Sequence, residues 1–337
     1  MPLPAGWHEF GKGRLFPFYL FCVMKFSGNR LFFLFPILVA CTGQGSPVDT
    51  TQPPVVQQTN PDGSVTSSKP DTPATTAVPH TTIKPLADIR YTAFRFKDSG
   101  RARMKAYTPE EKKVIYAINR IDGAHISNLD TVIVPEKFPG DLREISPFPL
   151  EVPALREVKK IVLFSYPIQA FAAYENGVLD IWGPTSMGRK SKQTPEGLYF
   201  ANWKAKETIS TVSDEWKLKW NFNIQNKQGI GWHQYGLPGI PASHSCLRLL
   251  ESDAQWLYDW ADMWVLKNPQ ELAAQGTPTI VFGEYPWGKR RPWRAVLEDP
   301  HANDLSVSEV EAIVKPHLQK ILDAQQKREN VVASSGK

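Results

Sequence analysis

The chain has 337 residues, is 42% apolar, and carries 39 Lys and Arg against 34 Asp and Glu, a formal net charge of +5. That length holds one sizeable domain and a smaller one, with segments left over. The charge is mild and reads as diffuse, which argues against a nucleic-acid-binding protein.

The export signal reads best from Met24, which leaves residues 1–23 as a start-site artefact or an unusual extension. Lys25 and Arg30 form a short basic region, and Leu31 to Ala40 (LFFLFPILVA) an apolar core too short to span a bilayer as a mature helix. The run ends in Leu38-Val39-Ala40-Cys41. This resembles the lipobox of bacterial lipoproteins, in which the cysteine is lipidated and becomes the new N-terminus. The resemblance implies an exported, lipid-anchored protein on the periplasmic side, touching the membrane through Cys41. Thr42, in place of the aspartate associated with inner-membrane retention, favours the outer membrane. The alternative is a plain secretory signal in which Cys41 is incidental.

Residues 42–87 are rich in Pro, Thr, Ser and Gln and almost devoid of large apolar side chains. Such a stretch cannot bury enough surface to offset its chain entropy, so it reads as an extended tether reaching on the order of 100 Å. Residues 88–150 change character. Thr108 and Glu111 have capping-box spacing, Val114, Ile115, Ile118 and Ile121 follow at helical intervals, and Asp130 to Phe138 reads as a short strand stopped by Pro135. This small α+β pattern is similar to a LysM-type module, which would bind wall glycan. A packing domain with no binding role is the alternative.

Residues 151–290 are strand-rich. KKIVLFSY and IQAFAAYENGVLDIWG flank Asn176-Gly177, a two-residue hairpin signal, because both residues tolerate positive φ. QTPEGLYFANW and WKLKWNFNI supply further strands, and TPTIVFG a last one. Between them, Ser252 and Gln255 predict a capped helix with Trp256, Leu257, Trp260, Ala261 and Trp264 on its packing face. Residues 291–337 hold an amphipathic helix from Ser306, bent near Pro316, and a polar tail.

The chemistry concentrates in GIGWHQYGLPGIPASHSCLRLL, Gly229 to Leu250. The chain has only Cys22, Cys41 and Cys246. Export removes Cys22 and lipid consumes Cys41, which leaves Cys246 as a lone thiol in a compartment where cysteines usually pair. A lone thiol there is either reactive or a small buried hydrophobe. A nucleophilic cysteine needs a base nearby, and His233 and His244 are the histidines near it in sequence. Extended alternation sets His244, Cys246 and Arg248 on one face, and the planar fork of Arg248 suits a substrate carboxylate. Zinc is the main chemical rival, but no ligand pair shows structural-zinc spacing. No metal or cofactor is expected.

His233, Gly236, Pro241 and Ser243-His244-Ser245-Cys246-Leu247-Arg248 resemble the signature of the YkuD-type L,D-transpeptidase family. The opening strand, the YENG hairpin, SMG, TPEG and GTPTIVFG follow in that family's order. The resemblance implies a mainly β, sandwich-like catalytic domain with a capping helix, acting on peptidoglycan stem peptides. It implies Cys246 as nucleophile, His233 as proton donor and acceptor, His244 as supporting or alternative base, and the Ser245 backbone as oxyanion hole. Arg248, Ser243, Trp232 and Tyr235 are the candidate substrate contacts, with packing the alternative for Trp232 and Tyr235 and local support of the turn the alternative for Ser243; Ser186 and Gly188 are candidates to border the cleft, although their spacing does not show it. Two departures stand out: Ser245 replaces the family's usual glycine, and the interval from His233 to Ser243 is short. Alternatives are an L,D-carboxypeptidase or a non-catalytic wall-binding lipoprotein. A papain-like protease lacks its local sequence around the cysteine. The protein is expected to be monomeric.

Overall fold

The computed structural model describes residues 83–210 and 217–335. The signal, Cys41 and most of the tether lie outside the described residues. The first unit is β1 (Tyr91–Arg95), α1 (Arg101–Ala106), α2 (Pro109–Asn119) and β2 (Thr131–Pro135), with β1 and β2 antiparallel. The predicted capping box is formed. Glu111 N–H donates to Thr108 Oγ1 at 3.1 Å, and Thr108 N–H to Glu111 Oε2 at 2.8 Å. Such a cap contributes about 1 kcal/mol to a short helix.

The strand-rich region comprises β3 (Lys160–Ser165), β4 (Ala170–Glu175), β5 (Val178–Ser186), β6 (Gly197–Phe200), β7 (Lys204–Ile209), β8 (Lys217–Gln225), β9 (Ile230–Gln234) and β10 (Leu247–Leu249). After α3 (Glu251–Trp260) come β11 (Val265–Asn268), β12 (Glu271–Ala274) and β13 (Pro278–Phe282). Helices α4 (Val307–Val314) and α5 (Leu318–Ser335) close the chain. Nine strands form one sheet in the order β6-β13-β3-β4-β5-β10-β9-β8-β7, while β11 and β12 make a separate ribbon. Asn176 and Gly177, at φ 49° and 80°, turn β4 into β5 as the sequence predicts.

The fold is mainly β, and its two layers are halves of one curled sheet. Phe164 and Phe171 of β3 and β4 share a core with Phe222 and Trp232 of β8 and β9, and Leu257 of α3 packs into it. Strands that far apart in the order meet only because the sheet curls over. The opposite face of β3 to β5 (Ile161, Leu163, Ala172, Tyr174) is covered by Leu155 and by Val310, Val314 and Ile321 of the last two helices. Burial on both faces explains why KIVLFS is an unbroken apolar run rather than an alternating one.

The β1–β2 unit shares cores with the large sheet. Ala117 enters the outer core, and Val114, Ile118 and Ile133 pack with Val296. At the end of α2, Arg120 turns left-handed (φ 55°) and is 3% exposed. Its Nε donates to Ile168 O at 2.8 Å, and its guanidinium lies 5.4 Å over the Trp182 ring. Burial lowers its pKa to about 10.

Two local expectations are corrected. Helix α3 starts at Glu251, with Leu250 at its N-cap and no side-chain cap, so Ser252 and Gln255 lie inside the first turns. The C-terminal helix is two helices rather than one bent helix, because Pro316 interrupts the backbone hydrogen-bond ladder between α4 and α5.

Candidate active site

Strands β9 and β10 are adjacent and parallel, with Leu247 beside Trp232 and Arg248 beside His233. Cys246, just before β10, therefore sits at the level of Gly231. Its thiol reaches Gly229 O at 3.7 Å. Alternation along β9 sends His233 to one face and Trp232 to the other. His233, Tyr235, Ser243, His244, Cys246 and Arg248 line one cleft, together with Ser210, just past β7, and Leu218 on β8. The ladder register, not the length of the intervening loop, sets the separation of imidazole and thiol. The short interval between His233 and Ser243 thus leaves the juxtaposition intact.

The electrostatics describe a neutral pair. Burial pushes the Cys246 thiol above its ordinary value, opposed by the Gly231 amide and the Arg248 charge. Burial lowers the His233 imidazole to about 4, with Arg248 adding to the fall and the Gln234 carbonyl opposing it. His233 Nδ1 lies 3.0 Å from Gln234 O. A carbonyl only accepts, so Nδ1 carries the proton and Nε2 keeps its lone pair as a base. His244 is also lowered, first by burial and then by Arg189, Arg248 and Lys192. Gly231 has a packing reason: a Cβ there would meet Phe222 O at 2.5 Å, so only glycine lets β9 lie this close to β8.

Ser245 has φ 84°, in the left-handed region where glycine is favoured. The backbone keeps a conformation natural to glycine although a serine occupies it, at a cost of about 1 kcal/mol. A dense set of hydrogen bonds holds it there. Ser243 Oγ donates to Cys246 O at 2.6 Å, and Thr194 Oγ1 donates to Ser245 O at 2.9 Å. Ser245 Oγ donates to Lys192 O at 3.2 Å. Ser243 N–H donates to Met187 O at 3.0 Å, and Arg189 N–H to Ser243 O at 2.9 Å. The stretch 186–194 thus braces the cysteine turn along its length. Ser186 Oγ donates to Ile240 O at 2.7 Å, and Gly188 N–H to Thr194 Oγ1 at 3.0 Å.

One expected substrate contact is corrected. Trp232 is 0% exposed and packs against Phe222 and Phe164 with ring centroids 5.1 and 6.2 Å apart, so it is core. Ser243 lines the cleft, is 2% exposed, and supports the turn through its hydroxyl, which donates to the Cys246 carbonyl. Tyr235 and Arg248 do line the cleft. The guanidinium lies 4.5 Å over the Tyr235 ring, and Nη1 donates to Gly236 O at 3.3 Å.

Sequence reading missed the residues that hold this geometry from a distance. Asp122, beyond α2, accepts Leu237 N–H at 2.7 Å through Oδ2 and binds His125 Nδ1 at 2.7 Å through Oδ1. His125 in turn packs on Gly236, where a Cβ would meet its Cε1 at 2.8 Å. Gln169, fully buried at φ 48°, accepts Met187 N–H at 2.8 Å, and Thr185 Oγ1 donates to Arg248 O at 2.8 Å. Gln169 and Asp122 meet partners 18 and 115 residues away, which no local motif signals. Among the described residues no group of three His, Cys, Asp or Glu side chains could hold a metal ion.

Comparison with known proteins places this site in a family context. Residues 159–281 match the model of YkuD, the L,D-transpeptidase catalytic domain. No match is found among curated proteins. Among solved structures, an L,D-transpeptidase from Stackebrandtia nassauensis is 23% identical with a TM-score of 0.31, over 38% of this chain and 57% of that one. One from Mycobacterium tuberculosis H37Rv is 22% identical with a TM-score of 0.30, over 37% and 58%. One from Mycobacterium smegmatis is 19% identical with a TM-score of 0.30, over 37% and 59%. The match spans less than two thirds of each of those chains. Residues 159–281, which include Cys246 and His233, thus match the YkuD L,D-transpeptidase catalytic domain over about a third of the chain.

Proposed function

We propose that the protein is a peptidoglycan L,D-transpeptidase working by cysteine acyl transfer. The observation that carries this reading is that Cys246 and His233 reach one cleft from neighbouring parallel strands, with Arg248 beside them. His233 Nε2 takes the thiol proton as sulfur attacks the carbonyl between the L-centre of the stem's diamino acid and the following D-alanine. Backbone amides of the Ser245 turn receive the developing oxyanion. The imidazolium returns the proton to the leaving amine, D-alanine departs, and a thioester remains on Cys246. An amine on a neighbouring stem or on a wall-attached protein then attacks the thioester, forming a cross-link or an attachment; if water attacks, the same centre is a carboxypeptidase. Because thiol and imidazole start neutral, proton transfer accompanies attack rather than preceding it as a stored thiolate. His244, set among the cations of the mouth, supports the intermediate.

Lipidation at Cys41 would hold the domain on its tether at the periplasmic face of the outer membrane, within reach of the wall. The βααβ order of residues 91–135 supports a LysM-like role in holding glycan. The test is mass spectrometry of products from a defined tetrapeptide donor, with and without an amine acceptor. Dimers indicate transpeptidation and tripeptide alone indicates hydrolysis. Release of D-alanine by the Cys246→Ala protein would overturn the mechanism.

A further inference from the structure

The turn 189–192 is bonded to the cysteine turn through its backbone and carries three cations. Lys192 N–H donates to Arg189 O at 2.8 Å, closing a tight turn in which Arg189, Lys190 and Lys192 are exposed. The turn is joined to the cysteine turn at both ends, by Arg189 N–H to Ser243 O at 2.9 Å and by Ser245 Oγ to Lys192 O at 3.2 Å. The backbone that carries these charges is therefore held in place against the cysteine turn. Arg189, Lys192 and Arg248 all act electrostatically on His244, which lines the cleft. Among the described residues no carboxylate forms an ion pair with Arg189, Lys190, Lys192 or Arg248, so their charges are not neutralised locally. Set against a formal excess of +5 for the whole chain, these four cations at one mouth are a concentration of charge that the sequence reading took as diffuse.

From this placement we infer that the Arg189–Lys192 turn and Arg248 form an anion-recognition rim, which selects stem peptides whose side carboxyls are free over stems in which they are amidated. The inference rests on the transpeptidase reading and narrows its substrate class. A stem with free carboxylates at its second and third residues presents a multiply anionic peptide to the rim. Amidation removes those charges while leaving the scissile bond untouched. Exposed pairs are individually weak and salt-screened, so the rim acts through several cations together.

The experiment compares two defined tetrapeptide donors, one with free carboxyls and one with both side carboxyls amidated. They are tested on the parent protein and on an Arg189→Gln, Lys190→Gln, Lys192→Gln variant. The parent should favour the free-acid donor by about tenfold in kcat/KM, expressed in KM and shrinking as salt rises. The variant should lose most of that preference while its circular dichroism spectrum and thermal unfolding midpoint stay at the parent's. Equal kcat/KM for the two donors in the parent, or an unchanged preference in the variant, overturns the inference. A second arm is independent of turnover: calorimetric binding of the matching tripeptide stems to the Cys246→Ala protein. Tighter binding of the free acid, lost on removing the three cations, supports the rim even if no D-alanine is ever released. Binding that ignores amidation, or no binding of either stem, overturns it.

Discussion

Strands β3, β4 and β5 and strands β8, β9 and β10 belong to one sheet but are built differently. β3 and β4 pair in unbroken register from Lys160–Glu175 to Ser165–Ala170, and both their faces are buried. Between β8 and β9 the register shifts twice, Trp220 has φ 53°, and β10 is three residues long. His233, Asn221 and Asn223 are buried polar residues in this second half. The first half, with a single register shift between β4 and β5, supplies apolar burial and braces the site through Thr185 and Ser186 at the end of β5. The irregular half aims side chains into a cleft and depends on hydrogen bonds from elsewhere to keep its shape. A reactive site needs groups held out of regular alternation, and a rigid neighbour makes that tolerable.

Four changes would break or sharpen this contrast. Phe164→Ala, in the regular half, should lower stability by about 3–5 kcal/mol in denaturant unfolding while leaving the pH dependence of whatever folds unchanged. Protonating His233 tests the irregular half. Its pKa is about 4 in the folded protein, below the ordinary 6.5, so the unfolded chain binds more protons between those values and stability rises with pH there. Unfolding free energy should fall by up to about 3 kcal/mol as pH drops from 7 to 4, and His233→Gln should flatten that slope. Asp122→Ala leaves the Leu237 amide without its acceptor. A loss of about 1–3 kcal/mol is expected and, under the proposed function, a rise in KM for the stem peptide as Tyr235 and Gly236 beside Arg248 loosen. Ser245→Gly should be the mildest. Relief at φ 84° is offset by loss of the bond to Lys192, so stability shifts by under about 1 kcal/mol and activity persists. A large loss there would mean the hydroxyl meets substrate.

The regular half was legible because its signals are local. Asn176-Gly177 marks the β4–β5 hairpin, alternation and apolar runs mark the strands, and Thr108 with Glu111 marks the start of α2. The lone thiol and its two histidines were legible as chemistry, and all three line the cleft. Trp232 was misread as a cleft residue because adjacency to His233 in sequence means opposite faces in a strand. The brace from Thr194, Gln169 and Asp122 was not legible, because each bond joins residues that meet only after the sheet has curled. The same holds for the pairing of β9 with β10, which a hairpin-like reading of the loop between them would have made antiparallel.

That parallel pairing carries one more consequence. Thiol and imidazole hang from two rails of the same ladder, so residues 235–245, held by their own bonds to Asp122 and Ser186, do not set the gap between the two stations. Insertions or deletions in this connection change what roofs the cleft without altering the gap between the stations. The length of that connection can therefore change while Cys246 and His233 keep their places on the ladder.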